Sequence, residues 1–451
     1  MFPPSPTLQI YPCLKPEMSG GIRRLVNLGV YDGRNSVYSL RRLDLSKMDL
    51  FHRTAEEAAA DGKLLPTLTP AKAWASNDRR RICKADLSAA EAAAPSIQTP
   101  ASELVIKPPE VSCSLPTHHR VYFLPTSSED KVVLGDHTNR MFRFDAGEGR
   151  HWIESLPSLH EHKHSPLSIA VPPSDLHLHD GEDGGDMYII DRILHPDKSE
   201  AKPQFEALVW RAEHRRSFCS RTWHCDILPL PPWIIQQKHA YVCGHALVGG
   251  DTICFSIAGA EGPGSYCFHI ATREWSKADD WVMPFQGKAE YVPELGLWFG
   301  ESRGLPCAAD ISSVIRGEEP PQHKLWIWVD DDLPEEWQPS ELCRSKVISL
   351  GLGRFIVVDF LDAMIFDKDC NEMVTSKQFA LFTGMEVLYD NGRSKGAGKD
   401  NDNYNSGTKC SGNENGNNGG KVKGMMRGLR MVKHKSKHYM FNVQQCIDPV
   451  L

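Results

Sequence analysis

The sequence has no run of about 18 consecutive apolar residues, the length a helix needs to cross a bilayer, so no membrane-spanning helix is expected in its 451 residues. It also lacks a secretory start. MFPPSPTLQIYPCLKPEMSGG has neither the basic opening nor the apolar core of a signal peptide. Its prolines make residues 1–21 read as a disordered leader, too short to hold an F-box-like helical module. The 13 cysteines include no CxxC pair. Cys243, Cys254 and Cys267 sit inside apolar runs, where a free thiol packs as a small hydrophobe. Without a secretory signal they read as reduced thiols, which points to the cytoplasm or nucleus. Charge of one sign is scarce as well: the net charge of −7 gives no long-range field for nucleic acid or acidic lipid. P-loop, dinucleotide glycine and nucleophile-elbow patterns are all missing. No catalytic, cofactor-binding or metal residue is therefore assigned, and no cofactor is expected.

Helical periodicity is the last thing in short supply, and strands take its place. Leu25–Tyr31 and Ser36–Leu43 flank Asp32-Gly33-Arg34-Asn35, a hairpin with turn chemistry at its centre. Residues 52–103 are an Ala/Glu-rich excursion broken by prolines, with too few large apolar residues to bury a core. From about 118 onward short apolar runs alternate with Gly, Pro, Asp or Asn. The stretch 239–300 is the clearest unit: Gly249-Gly250, Tyr266-x-Phe268, Trp275 and Trp281 follow in order, as in a kelch-type repeat. Bulky pairs two residues apart recur as Phe142/Phe144, Leu208/Trp210, Tyr266/Phe268 and Trp326/Trp328, with steps of 66, 58 and 60 residues between their second members. A tryptophan follows each, at Trp152, Trp223, Trp275 and Trp337. Two-residue spacing puts both bulky side chains on one face of a strand. A period near 60 exceeds the roughly 50 of kelch units, and longer loops account for the excess. Residues 391–420, rich in Asn, Gly, Ser and Lys, read as a disordered loop.

The expected architecture is an all-β, kelch-like β-propeller of six blades over residues 22–442. Strands of residues 22–46 and 428–444 would close it by sharing a blade, which abolishes the exposed edge. In that frame Trp275, Trp281, Trp298, Trp326 and Trp328 are core rather than stacking platforms. His160, His162, His164, His177 and His179 beside the acidic 180–186 segment could ligate a metal, but no Cys or Glu spacing completes a zinc site. An exposed polar loop is the preferred reading. The basic residues of 421–438 could touch phosphates; a charged edge hairpin that guards against aggregation is preferred, so nucleic acid is not the expected partner. Arg79-Arg80-Arg81 and Asp330-Asp331-Asp332 with Glu335 and Glu336 read as solvated loops.

The segment YCFHIATREWSKADDWVMPFQGKAEYVPELGLWFG resembles the signature of a plant family expanded in grasses, usually described as kelch-like and carrying a domain of unknown function. RRLVNLGVYDGRNSVYSLRRLDLSK, KVVLGDHTNRMFRFD, FEALVW, LPEEW, FTGMEV and LRMVKHKSKHYMF continue the resemblance over residues 22–442. It implies a kelch-like propeller and no activity. The expected function is non-catalytic protein binding through loops 157–186, 258–264 and 301–324, with the partner unidentified. The rival is a propeller enzyme with a central-channel site that could hold a metal.

Overall fold

Asp32-Gly33-Arg34-Asn35 closes the first hairpin through its own side chains. The Asp32 carboxylate accepts the Arg34 N–H at 3.0 Å and the Asn35 side-chain amide at 2.8 Å. The flanking runs pair antiparallel as β1 (Leu25–Asp32) and β2 (Val37–Asp44). The computed structural model describes residues 23–60, 97, 100–107, 121–147, 151–172, 185–194, 203–215, 218–236, 240–259, 264–316, 325–327, 337–340, 344–367, 371–389, 429–441 and 445–450. The expected leader, the 391–420 loop, His177, His179, Arg79–Arg81 and the Asp330–Glu336 acidic run lie outside these residues.

The described part of the chain is all-β, built from antiparallel groups that follow one another in sequence. The first group adds β3 (Ser102–Ile106) to β2. The second is β4 (Val121–Pro125), β5 (Lys131–Asp136), β6 (Met141–Asp145) and β7 (Trp152–Leu156). The third is β8 (Pro166–Val171), β9 (Asp186–Asp191), β10 (Phe205–Arg215) and β11 (Phe218–Ile227). The fourth is β12 (Tyr241–Val248), β13 (Thr252–Ala258), β14 (Gly264–His269) and β15 (Glu274–Asp279). The fifth is β16 (Gly287–Val292), β17 (Leu297–Ser302), β18 (Leu305–Ala309) and β19 (Leu325–Ile327). A parallel seam, Gly244↔Gly287 to Ala246↔Ala289, joins β12 to β16, so the fourth and fifth groups share one eight-stranded sheet. The sixth is β20 (Trp337–Pro339), β21 (Lys346–Gly351), β22 (Arg354–Asp367), β23 (Glu372–Tyr389) and β24 (Leu429–Phe441). Finally β25 (Gln445–Val450) returns to pair antiparallel with β1.

Alternation supplies each group with two apolar faces, and successive groups bury them together. Leu40 meets Val132, Leu134 and Phe144; Tyr122, Leu124 and Met141 meet Ile189 and Leu208. Tyr188 and Phe205 meet Phe255 and Phe268, while Cys254 and Cys267 meet Trp298 and Cys307. Phe299 and Ala308 then meet Phe355 and Met385. The last of these clusters sets Ile348, Ile356 and Phe382 of the sixth group against Val26, Leu28 and Val30 of the first. A backbone bond, Arg23 N–H to the Leu350 carbonyl at 2.8 Å, ties the same two groups. Each fully buried Phe or Leu here contributes about 1.5–3 kcal/mol of apolar transfer.

Three of the four expected repeats fall where their spacing puts them. Phe144, Trp210 and Phe268 lie on the third strands, and Trp152, Trp223 and Trp275 on the fourth. Trp210 faces Trp223, and Phe268 faces Trp275, with rings 5.3 and 5.0 Å apart. The fourth match is displaced: Trp326 is on the fourth strand, and Trp337 opens the sixth group. The third strand there is LPCAA, whose small side chains leave room for Phe285 and Trp298. Three further expectations need correcting. β24 pairs with β23, and it is residues 445–450 that lie beside the first hairpin. The 52–103 excursion ends in the framework, because Ser102 and Glu103 already belong to β3. Its start folds back onto β24, with Ala55 and Ala58 of the short helix α1 (Ala55–Ala60) packed on Val432.

Candidate binding mouth where the inner strands begin

Antiparallel pairing decides which loops share an end of the molecule. Pro166 at the start of β8 is opposite Asp191 at the end of β9, and Tyr241 is opposite Ala258. The starts of β8, β12, β16 and β21, the ends of β9 and β13 and the Arg303-Gly304 turn therefore lie at one end. Arg303 and Gly304 both have positive φ (53° and 83°), as a two-residue hairpin turn requires. This corrects the expected loop set. Residues 157–165, 258–259 and 303–304 lie at this end, whereas Val171, Asp186 and Ala309, where β8 ends, β9 begins and β18 ends, lie at the opposite one. An intervening strand carries the chain across each time. Apolar side chains stand in solvent at the first end: Ile193 is 48% exposed, Tyr241 39% and Val282 40%.

Two buried carboxylates pin the histidine loop. Glu206, near the start of β10, is fully buried. Its Oε1 receives the Lys163 ammonium at 2.6 Å, and its Oε2 receives the His160 backbone N–H at 2.7 Å and the His160 Nδ1 at 2.8 Å. The Cys225 thiol donates to the same Oε2 at 3.4 Å. Asp191, at the end of β9, accepts the His164 and Ser165 N–H groups at 2.8 Å each. The His162 and His164 rings meet edge-on at 4.8 Å, so the loop splits His160 from the other two.

His160, Glu206 and Cys225 offer ligand atoms within 4.8 Å of one another, a possible metal set that the histidine pattern reached only in part. The charges argue for an anchor instead. Burial pushes the Glu206 carboxyl up, but the Lys163 ammonium and the hydrogen bonds from Lys163 and His160 outweigh it and hold it below its ordinary pKa. Burial and the Glu206 charge push the Cys225 thiol up to about 12, so it stays protonated. A divalent ion would have to displace an ammonium that is 1% exposed and take a thiol proton that is held tightly.

Across the start of β12 the charge is of the other sign. The Arg192 carbonyl accepts the Val242 N–H at 2.9 Å, and its guanidinium lies 5.8 Å from the Tyr241 ring centre. Arg344 Nη1 donates to Gln286 Oε1 at 3.2 Å. His245, 5% exposed and beside Lys288 across the parallel seam, is pushed down to about 3 by burial and by Lys288, Lys346 and Arg192. Burial would raise Glu290, yet Lys288 at 2.7 Å and Arg23 bring it down to about 2.

A family profile described as "Protein of unknown function (DUF1668)" matches residues 23–439. The chain belongs to the DUF1668 family. No curated protein matches it. Among solved structures, the DUF1668 chain is similar to the β-propeller domain of Cps50 (Swd1) from Myceliophteria thermophila, at 13% identity over 46% of this chain and 52% of that one, TM-score 0.22. It is also similar to TolB from Acinetobacter baumannii, at 9% identity over 59% and 76%, TM-score 0.20. A third is a post-proline cleaving enzyme from Rickettsia typhi, at 10% identity over 82% and 48%, TM-score 0.26. The chain thus spans about half the length of the first and third. Likenesses this weak carry no argument.

The DUF1668 basic run is less available than its sequence suggests. Residues 429–438 form most of β24, where Lys433, His434 and His438 are buried and Lys435 pairs with Asp49 at 2.9 Å. His434 Nδ1 accepts the His52 N–H at 3.2 Å and its Nε2 donates to Glu386 at 3.2 Å, which locks residues 49–52 over the strand. Lys421, Lys423 and Arg427 lie outside the described residues. Among the tryptophans singled out by the repeat, Trp298 is buried with its N–H on the Leu247 carbonyl at 3.0 Å, and Trp275 is half-buried against Phe205 and Phe268. Sequence reasoning missed Lys163, Glu206, Arg192 and Arg344. A lone Glu inside the apolar run FEALVW is the one signal that marked any of them.

Proposed function

We propose that this DUF1668 chain is a closed, six-bladed, kelch-like propeller acting as a non-catalytic protein-binding module, in the cytoplasm or nucleus. Support for six blades comes from the core clusters, each shared by two successive strand groups, with the last returning to the first. The kelch-like, plant character rests on the sequence segments quoted above. The binding reading rests on one observation: at the end where the inner strands begin, exposed Ile193, Tyr241 and Val282 accompany a loop held by Glu206 and Asp191. Surface loops on a rigid frame are the usual carriers of recognition.

Proximity labelling with the full-length protein and with Ile193→Ser and Arg303→Asp tests this. Neither residue is in the core, so both variants should melt with the parent and lose shared neighbours. An identical neighbour set for parent and variants, or none above background, would overturn the reading.

A further inference from the structure

Arg192 and Arg344 are placed by backbone from different strand groups, yet they converge. The Arg192 N–H donates to the Ser165 carbonyl at 2.9 Å, its own carbonyl holds Val242, and Ile193 bridges Tyr241. Arg344 reaches Gln286, whose N–H is fixed at 2.7 Å on the Glu301 carbonyl. Gln286 precedes Gly287, the seam partner of Gly244. The two guanidinium groups therefore flank the first residues of β12.

Neither has a carboxylate within ion-pair distance among the described residues. Among the described residues Arg192 meets the Tyr241 ring, at 5.8 Å, and Arg344 the Gln286 amide. A half-buried guanidinium is ordinarily paired. Here burial and the Arg344 charge instead push Arg192 below its ordinary pKa, and both arginines act on Cys243. The nearest acids do not neutralise them. Glu301 accepts the Gly304 N–H, and Glu290 is engaged by Lys288. This cationic spot stands out on a chain whose net charge is −7.

We propose that Arg192 and Arg344, with the Tyr241 hydroxyl beside them, form a binding site for a small multivalent oxyanion bearing phosphate or carboxylate groups. Planar guanidinium forks match both groups through paired N–H···O bonds. Clustered positive charge raises the local concentration of such ligands. The site lies at the same end as the proposed protein-binding surface but needs no protein partner, so either can fail without the other.

Equilibrium dialysis of the full-length protein against inorganic pyrophosphate and against citrate, at constant ionic strength, provides the test. Saturable binding of at least one is expected, weakened at least ten-fold in Arg192→Met and in Arg344→Gln. Arg192→Lys should fall between, since it keeps the charge and loses the fork. Pyrophosphate without citrate would identify a phosphate ligand, and the reverse a polycarboxylate. Both variants should melt at or above the parent temperature without anion, because they relieve like-charge repulsion. No saturable binding, equal binding by parent and variants, or variants that melt lower without anion (the mark of a purely structural role) would each overturn the proposal.

Discussion

Replacing His245 by Leu should remove a large part of the protein's acid sensitivity. The ring is 5% exposed on β12, its Nδ1 has no hydrogen-bond partner among the described residues, and it lies 6.5 Å from the Phe255 ring centre. Burial first, then the charges of Lys288, Lys346 and Arg192, push its pKa from 6.5 to about 3. The folded-state value is below the unfolded one, so the neutral ring's contribution is complete above about pH 6.5 and is lost as pH falls towards about 3. Each unit below 6.5 costs about 1.4 kcal/mol, so moving from pH 7.5 to pH 5 should cost about 2 kcal/mol through this residue alone. Urea unfolding of parent and His245→Leu at both pH values isolates the term, because groups common to both proteins cancel. The variant should equal or exceed the parent at pH 7.5, since it loses an unpaired buried nitrogen, and should fall by about 2 kcal/mol less on acidification. Parallel losses in the two proteins would refute the reasoning.

Lys163→Met should cost about 3–5 kcal/mol by leaving the Glu206 carboxylate buried without its ammonium; Lys163→Met with Glu206→Leu should recover much of that in denaturant titrations, and equal losses for the single and double variants would count against the anchor. Gly244→Ala should destabilise by about 1–3 kcal/mol, because a Cβ there would sit 2.5 Å from the Phe285 carbonyl oxygen, which is backbone and cannot rotate away; a parent-like melting curve would mean that the β12–β16 seam is not packed as described. Trp275→Ala should cost about 2–3 kcal/mol, below the full range for a buried tryptophan, since the ring is half-buried against Phe205 and Phe268; an unchanged unfolding midpoint would remove its place in that core.

Strand class was legible because alternation is local. FEALVW, DTICFSIA and SYCFHI carry their pattern on their faces, and an aromatic pair followed by a Trp marks third and fourth strands wherever a short turn joins them. The same logic misplaced Trp326, because LPCAA hands its bulk to Phe285 and Trp298 from other segments. No periodicity reveals such an exchange. The strand that joins the first hairpin lies in the expected region but is not the expected one: LRMVKHKSKHYMF alternates well, while QCIDPV, which lies against β1, has a proline in it. The site was nearly invisible. Lys163 and Glu206 are 43 residues apart, and Arg192 and Arg344 come from different strand groups. Only the β-frame brings those charges together. The histidines were conspicuous by composition, yet one is an accessory to a buried carboxylate and two pack on each other.

The pairing of β25 with β1 has a consequence for biosynthesis. β1 and β2 are synthesised long before β25, so the edge of β1 that β25 covers stays open until residues 445–450 emerge. At about 5–20 residues per second that wait lasts from about 20 s to over a minute. Throughout it, a strand with the apolar face of Val26, Leu28 and Val30 offers open backbone to any neighbouring nascent chain. Residues 445–450 thus set the moment at which that edge of β1 stops being a template for aggregation.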